Sequence, residues 1–183
     1  VYARAVPPLD AVALCESAFV RIREAGAKVV VISGNHDSAQ RLGFGSRLMD
    51  AAGVFVRTDA SSVGTPVVLK DRHGDVAIHA IPYLDPSALL EPWGLGHRSH
   101  EAALTEAMRR VRADTERRGA RTVVLAPTDA EVAAIVGGHI MAAADSTGFA
   151  PLVLLVGLVL TMKVYWVALA FVPRTRRTAV DKT

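Results

Sequence analysis

The chain contains little cysteine, few aromatic residues and little net charge. Its single cysteine, Cys15, excludes a disulfide within this sequence and fits a reducing compartment. Aromatic residues make up 5% of the 183 residues, and 21 lysines and arginines stand against 18 aspartates and glutamates. Because no lysine-rich tract or arginine stripe accompanies the formal charge of +3, charge alone does not predict nucleic-acid binding. Function must therefore be inferred from particular residues.

Helical and extended patterns alternate along the first two thirds of the sequence. Helices are predicted at 8–25, 39–52 and 99–118, and strands at 29–33, 54–56, 67–70, 76–81 and 121–126. Residues 71–75 lie between two of these strands and predict a β-hairpin turn. Such alternation indicates a layered α/β fold.

The most specific local pattern is a β-branched strand, 29–33, that leads into Gly34, Asn35, His36 and Asp37. An Asn carbonyl oxygen is a neutral ligand suited to Mn²⁺ or Mg²⁺. His36 can donate to a phosphate oxygen or protonate a leaving alkoxide, and Asp37 can accept from its other ring nitrogen. Gly34 is predicted to permit a sharp turn and a close approach of the backbone to substrate.

A simpler interpretation of the same residues stays open. In an ordinary strand-to-helix loop, Asn35 and Asp37 would serve turn and cap chemistry, and His36 would be solvated. The strand before the motif and the helix after it supply the context that a functional site needs, so the sequence favours the site.

Further segments match a known family. They are Ala5-Val6-Pro7-Pro8, the Gly-Asn-His-Asp motif, residues 38–46 and Ile81-Pro82-Tyr83-Leu84. Together they resemble the calcineurin-like metallophosphoesterases, and among them the D subunits of bacterial SbcCD nucleases. The resemblance covers about residues 1–126.

This resemblance implies a layered metallophosphoesterase-type fold and a DNA exonuclease and endonuclease that uses two Mn²⁺ or Mg²⁺ ions. It makes Asn35 a metal ligand and His36 the catalytic histidine, with Asp37 as its orienting neighbour. The partners that it implies are DNA, an SbcC-type ATPase subunit and a second copy of the chain. Its implied location is the cytoplasm.

The sequence departs from the family at other metal ligands. A bridging Gly-Asp would fall immediately before Val1, and Ala3 stands where an Asp is common. Pro127, which has no metal-binding atom, stands where the family has a histidine ligand. His139 lies in half of a Gly-His-x-His motif and is interpreted as a coincidence. Because one Asn cannot hold two cations, we expect an incomplete fold and a weakly active or inactive chain.

The last third of the sequence has a different character. Residues 149–172 are apolar except for Thr161 and Lys163, a length that suffices for a transmembrane helix, and a basic tail, 173–183, follows. Lys163 would cost about 2.5–3.5 kcal/mol near the middle of a span, which the surrounding Leu and Val residues offset. The alternative is a buried or aggregating helix in a mistranslated tail.

The predicted organisation is a partial nuclease domain at 1–126, a linker of uncertain structure at 127–148, a membrane helix at 149–172 and the basic tail. Two functions follow from it. One is a metal-dependent DNA nuclease, weakened by missing ligands. The other is a non-catalytic membrane-tethered remnant, or a frameshift or fusion product, whose α/β layer only packs or binds a partner.

The other histidines, the cysteine and one tryptophan are expected to have structural roles. His97 and His100 are expected to be solvated or to start a helix, since no Cys or carboxylate set accompanies them. Cys15 is expected to be a small buried thiol. Trp93 is predicted to anchor a loop on the domain, with base stacking as the alternative.

Overall fold

The computed structural model of the protein describes residue 2 and residues 4–127. This part of the chain is a mixed α/β structure, as predicted. Its elements in chain order are α1 (Leu9–Glu24), β1 (Val29–Ile32), α2 (Ala39–Leu42), α3 (Ser46–Ala51), β2 (Val54–Arg57), β3 (Val67–Asp71), β4 (Gly74–Ala80), α4 (Pro86–Leu89), α5 (His100–Arg118) and β5 (Arg121–Leu125).

The strands form two sheets. β1 pairs in parallel with β2, with Val29 opposite Val54. In the second sheet the central strand β4 is antiparallel to β3 and parallel to β5. The predicted hairpin is confirmed, with Arg72 and His73 as the loop between β3 and β4.

The strand β1 is buried on both faces. Val29 and Val31 pack with Val54 and Val56 of β2, whereas Val30 packs in the same cluster as the apolar side chains of β3, β4 and β5. Successive side chains of a strand point to opposite faces, so a continuous valine run suits a strand covered on both sides. The core thereby joins the two sheets and holds the carboxyl end of β1 in place.

The helix α5 covers one side of the second sheet. It begins after Ser99, whose hydroxyl accepts a hydrogen bond from the Ala102 N–H at 3.0 Å, and it ends at Gly119, which adopts φ 63°. Its buried face packs against apolar residues that follow β4, including Ile81 and Leu84. The members of that face are Ala103, Leu104, Ala107, Met108, Val111 and Asp114.

The predicted helix near the N terminus is confirmed as α1, but no residue of it is buried. Phe19 and Ile22 pack partly against the β1–β2 sheet. Leu9, by contrast, is 86% exposed and Leu14 is 72% exposed. Cys15 is half-buried, so the predicted burial of its thiol is only partial.

The single helix predicted at 39–52 was also wrong, because the segment forms two short helices, α2 and α3. The break falls at Gly43-Phe44-Gly45, where Gly45 has φ 72°. That left-handed conformation cannot continue an α-helix. A Cβ at position 43 would lie 2.5 Å from the Thr58 hydroxyl oxygen, so the chain needs glycine there for close packing.

Within the described residues, no helix is both long and apolar enough to cross a bilayer. The predicted transmembrane segment 149–172, the basic tail 173–183, His139 and all of the predicted linker except Pro127 lie outside the described residues.

Candidate functional site

The candidate site begins where β1 ends. Ser33 continues the strand direction and is 2% exposed, and the chain then turns over Gly34, Asn35, His36 and Asp37. The Asp37 N–H donates to the Gly34 carbonyl at 3.2 Å and so closes the turn. Asn35 and His36 occupy its tip and are both exposed. The predicted metal ligand and the predicted catalytic imidazole are therefore accessible side by side.

The Asp37 carboxylate stabilises this turn through both of its oxygen atoms. Oδ2 accepts from the Gly34 N–H at 2.8 Å, and Oδ1 accepts from the Tyr2 N–H at 2.6 Å. Asp37 thus fixes the turn and also ties it to the segment at the start of the chain. Its predicted action on the His36 ring stays a prediction.

The turn predicted at Gly34 is present, but its backbone does not require glycine at this position. Gly34 does not adopt a left-handed conformation, and a Cβ at this position would meet Asp37 Oδ2 at 3.6 Å, an ordinary contact. The turn itself therefore does not require glycine. Only a close approach of substrate to this backbone would require it.

Two further strand ends reach the same edge. The Tyr83 N–H donates to the Ser33 carbonyl at 2.8 Å, and the Ile81 N–H donates to the Leu125 carbonyl at 2.8 Å. Segments that follow β1, β4 and β5 therefore lie next to one another, and we call this surface the carboxyl edge. Tyr83 is 36% exposed there, and its ring centroid lies 5.7 Å from that of His100.

The described residues offer only part of a metal centre. Nowhere in residue 2 or residues 4–127 do three His, Cys, Asp or Glu side chains converge as a metal-binding group. Asn35 can give one amide oxygen and His36 one ring nitrogen. A two-metal centre requires several carboxylate and imidazole ligands. The described part of the chain alone therefore does not fit the two-metal group that the resemblance implies.

Tyr2 and Cys15 lie behind the turn and are unsuited to nucleophilic chemistry. Burial, followed by the neighbouring Cys15 and Asp37, raises the pKa of Tyr2 to about 12. Burial also raises the pKa of the Cys15 thiol. Because the thiolate is the reactive form of cysteine, this residue is not an activated nucleophile.

A buried pair of ionisable side chains was not predicted from the sequence. His79 of β4 is 1% exposed, and its Nε2 lies 3.4 Å from Asp114 Oδ2 of α5. Asp114 also accepts hydrogen bonds from Arg117 and Arg118. Burial lowers the pKa of His79 more than Asp114 raises it, and Arg118 lowers the pKa of Asp114. Asp114 follows Val111 by three residues and Ala107 by seven, a spacing that places it on the buried stripe of α5.

Other predictions concern single side chains. His97 and His100 are exposed, as expected, although His100 also contacts Tyr83. Trp93 packs against the core cluster under α5, and the Arg110 guanidinium lies 4.2 Å from its ring centroid, which confirms the loop anchor. Tyr83 was missed as a site residue. Its signal was the aromatic ring two residues after the strand 76–81, within the segment Ile81-Pro82-Tyr83-Leu84.

A search of the chain against models of known protein families finds no match. The arrangement at the carboxyl edge must therefore support any functional conclusion by its own chemistry.

Proposed function

We propose that this chain is a metallophosphoesterase-type module of a DNA nuclease, with its reacting residues Asn35 and His36 at the carboxyl edge. One observation carries the proposal. The strand β1, of which Val29, Val30 and Val31 are buried, ends in a turn fixed by Asp37, and that turn presents both side chains to solvent. Ligands of open α/β sheets bind beyond the carboxyl ends of strands, where this turn lies.

His36 is proposed to act as a general acid. A ring nitrogen would give its proton to the oxygen that leaves phosphorus as its bond to phosphorus breaks. The oxygen of a water molecule would form the new bond to phosphorus, and the proton that this water loses would pass to solvent. The exposed position of His36 allows a phosphodiester to approach it directly. Asp37 holds the backbone turn that carries His36, and a hydrogen bond from the His36 ring to its carboxylate is proposed to orient the imidazole.

Asn35 is proposed as one ligand of a Mn²⁺ or Mg²⁺ site. Held there by Asn35 together with further ligands, such an ion would polarise the phosphate. The remaining ligands would have to come from beyond the described residues, so we expect this chain to cleave slowly by itself. The SbcC-type ATPase partner, pairing with a second copy and a cytoplasmic location are parts of the same proposal and rest on the sequence resemblance.

The test is cleavage of a fluorescently labelled linear duplex DNA in the presence of Mn²⁺. His36→Gln keeps a polar side chain but removes the acid, and we expect at least a tenfold lower rate, in line with the usual contribution of about 10²–10⁴ from general acid catalysis. The matched control is His73→Gln. His73 is also exposed but lies at the opposite end of β4, about 20 Å away along the strand.

We expect His73→Gln to cleave at the wild-type rate. Equal rates for wild type, His36→Gln and His73→Gln would contradict the proposal, as would cleavage that does not depend on added metal.

A further inference from the structure

The ring of Tyr83 is exposed although the residues on both sides of it are buried. Residues 76–82 are all buried, and so is Leu84, yet the Tyr83 side chain between them reaches solvent. Its N–H is held by the Ser33 carbonyl at 2.8 Å. The position of the ring is therefore set by the core without the ring itself belonging to the core.

His100 adds a second ring to the same surface. It is exposed and lies in the first turn of α5, which is capped by Ser99 and anchored by the fully buried Ala103. The two rings are 5.7 Å apart and inclined at 51°. In this tilted arrangement they do not cover each other face to face, so ring surface stays available to a third planar group.

This aromatic pair lies on the same carboxyl edge as the reacting residues of the proposed site. The Ser33 carbonyl that holds Tyr83 precedes His36 by three residues, which is at most about 11 Å of chain. A DNA strand advances by about 3.4 Å per nucleotide, so a strand with one phosphate at His36 would bring a base to Tyr83 within a few nucleotides.

We infer that Tyr83 and His100 form a stacking surface for an unpaired nucleobase of the DNA strand whose phosphate lies at Asn35 and His36. This inference rests on the proposed function and names its substrate class, a single-stranded or frayed DNA end. An unpaired base is required because the bases of an intact duplex already stack on each other. Aromatic side chains bind any base through its π-face, so little sequence preference is expected.

The test measures binding and is independent of cleavage. A fluorescein-labelled oligothymidine of twelve nucleotides and the same oligonucleotide made entirely of abasic sites are titrated with the full chain, and anisotropy reports the dissociation constant. We expect the wild type to prefer the base-bearing strand by about tenfold, within the range that stacking of one base gives. Tyr83→Ala should remove that preference, and Tyr83→Phe, which keeps the ring, should retain it.

Two controls make the outcome decisive. Circular dichroism of Tyr83→Ala should match wild type, because Tyr83 is 36% exposed and belongs to none of the buried core clusters of the described residues. His73→Gln should bind with the wild-type preference, because His73 lies at the opposite end of β4 from the aromatic pair. If base preference persists when no variant cleaves DNA, the proposed function fails and the stacking surface stands. An unchanged preference in Tyr83→Ala, or no preference in the wild type, would overturn the inference.

Discussion

The helices α1 and α5 have similar lengths, 16 and 19 residues, but they are covered very differently. Six residues of α5 are buried against the second sheet, whereas none of α1 is buried. An apolar cavity of about 1100 Å³ lies between α1, the α2–α3 segment and β2, with Phe19, Met49 and Val56 among its lining residues.

The difference separates the closed core under α5 from the side of the molecule that carries Asn35 and His36. The α5 side has a closed core, and its helix follows the buried stripe from Ala103 to Asp114. The α1 side holds the turn at Asn35 and His36 on a well-buried strand, but its outer layer is thinly packed. Substitutions on the two sides should therefore have unequal effects.

The largest effect is expected from Met108→Ala on α5. Met108 is 2% exposed within the main core cluster, so truncation removes apolar contacts and leaves a cavity. We expect the free energy of unfolding to fall by about 2–5 kcal/mol, measured by urea denaturation. A loss below about 1 kcal/mol would show that the α5 side is not the closed core described here.

The next effect is a dependence of stability on pH that comes from the α5 side. Burial lowers the pKa of His79 in the folded protein. The unfolded chain therefore binds a proton at this residue more readily than the folded protein does. Stability should therefore be complete well above the ordinary histidine pKa of about 6.5 and fall as the pH drops below it, by at most about 1.4 kcal/mol per pH unit for this group.

Urea unfolding at pH 7.5 and pH 5.5 measures this dependence, and His79→Gln should flatten it. The folded Asp114 has a lowered pKa, so its own contribution to stability is lost only near and below its ordinary value of 3.8, outside this interval. If the free energy of unfolding falls equally between pH 7.5 and pH 5.5 in wild type and His79→Gln, the pH dependence comes from other groups.

The smallest effect is expected from Leu14→Ala on α1, the matched truncation for Met108→Ala. Leu14 is 72% exposed, and alanine has the higher helix propensity. We expect a change within about 0.5 kcal/mol by the same urea experiment. A loss comparable to that of Met108→Ala would mean that α1 is covered in solution and would remove the contrast between the two helices.

Local patterns predicted much of the fold. Valine-rich β1, the hairpin around Arg72 and His73 and the periodic helix α5 were all found near their expected bounds. The single helix predicted at 39–52 was wrong because of two glycines. Gly43 makes a close contact and Gly45 adopts a left-handed conformation, and the spacing of apolar residues indicates neither. The lack of burial on α1 depends on tertiary packing, which its own sequence does not encode.

The candidate site was predicted in part for the same reason. Asn35 and His36 were identified because a strand and a turn place them together locally. Tyr83 and the Asp37–Tyr2 hydrogen bond join residues far apart in the chain, 50 positions in the case of Ser33 and Tyr83, and only the folded structure brings them together. The pairing of His79 with Asp114 likewise requires β4 to pack on α5.

The measurement that tests the central claim most directly is the Mn²⁺ dependence of DNA cleavage by wild type, Asn35→Ala and His36→Gln. If Asn35 is a metal ligand and His36 is the acid, Asn35→Ala should raise the Mn²⁺ concentration at half-maximal rate by about tenfold or more. His36→Gln should lower the maximal rate and leave that concentration unchanged. Wild-type cleavage with the same Mn²⁺ requirement in all three proteins, or no Mn²⁺-dependent cleavage by the wild type, would contradict the account.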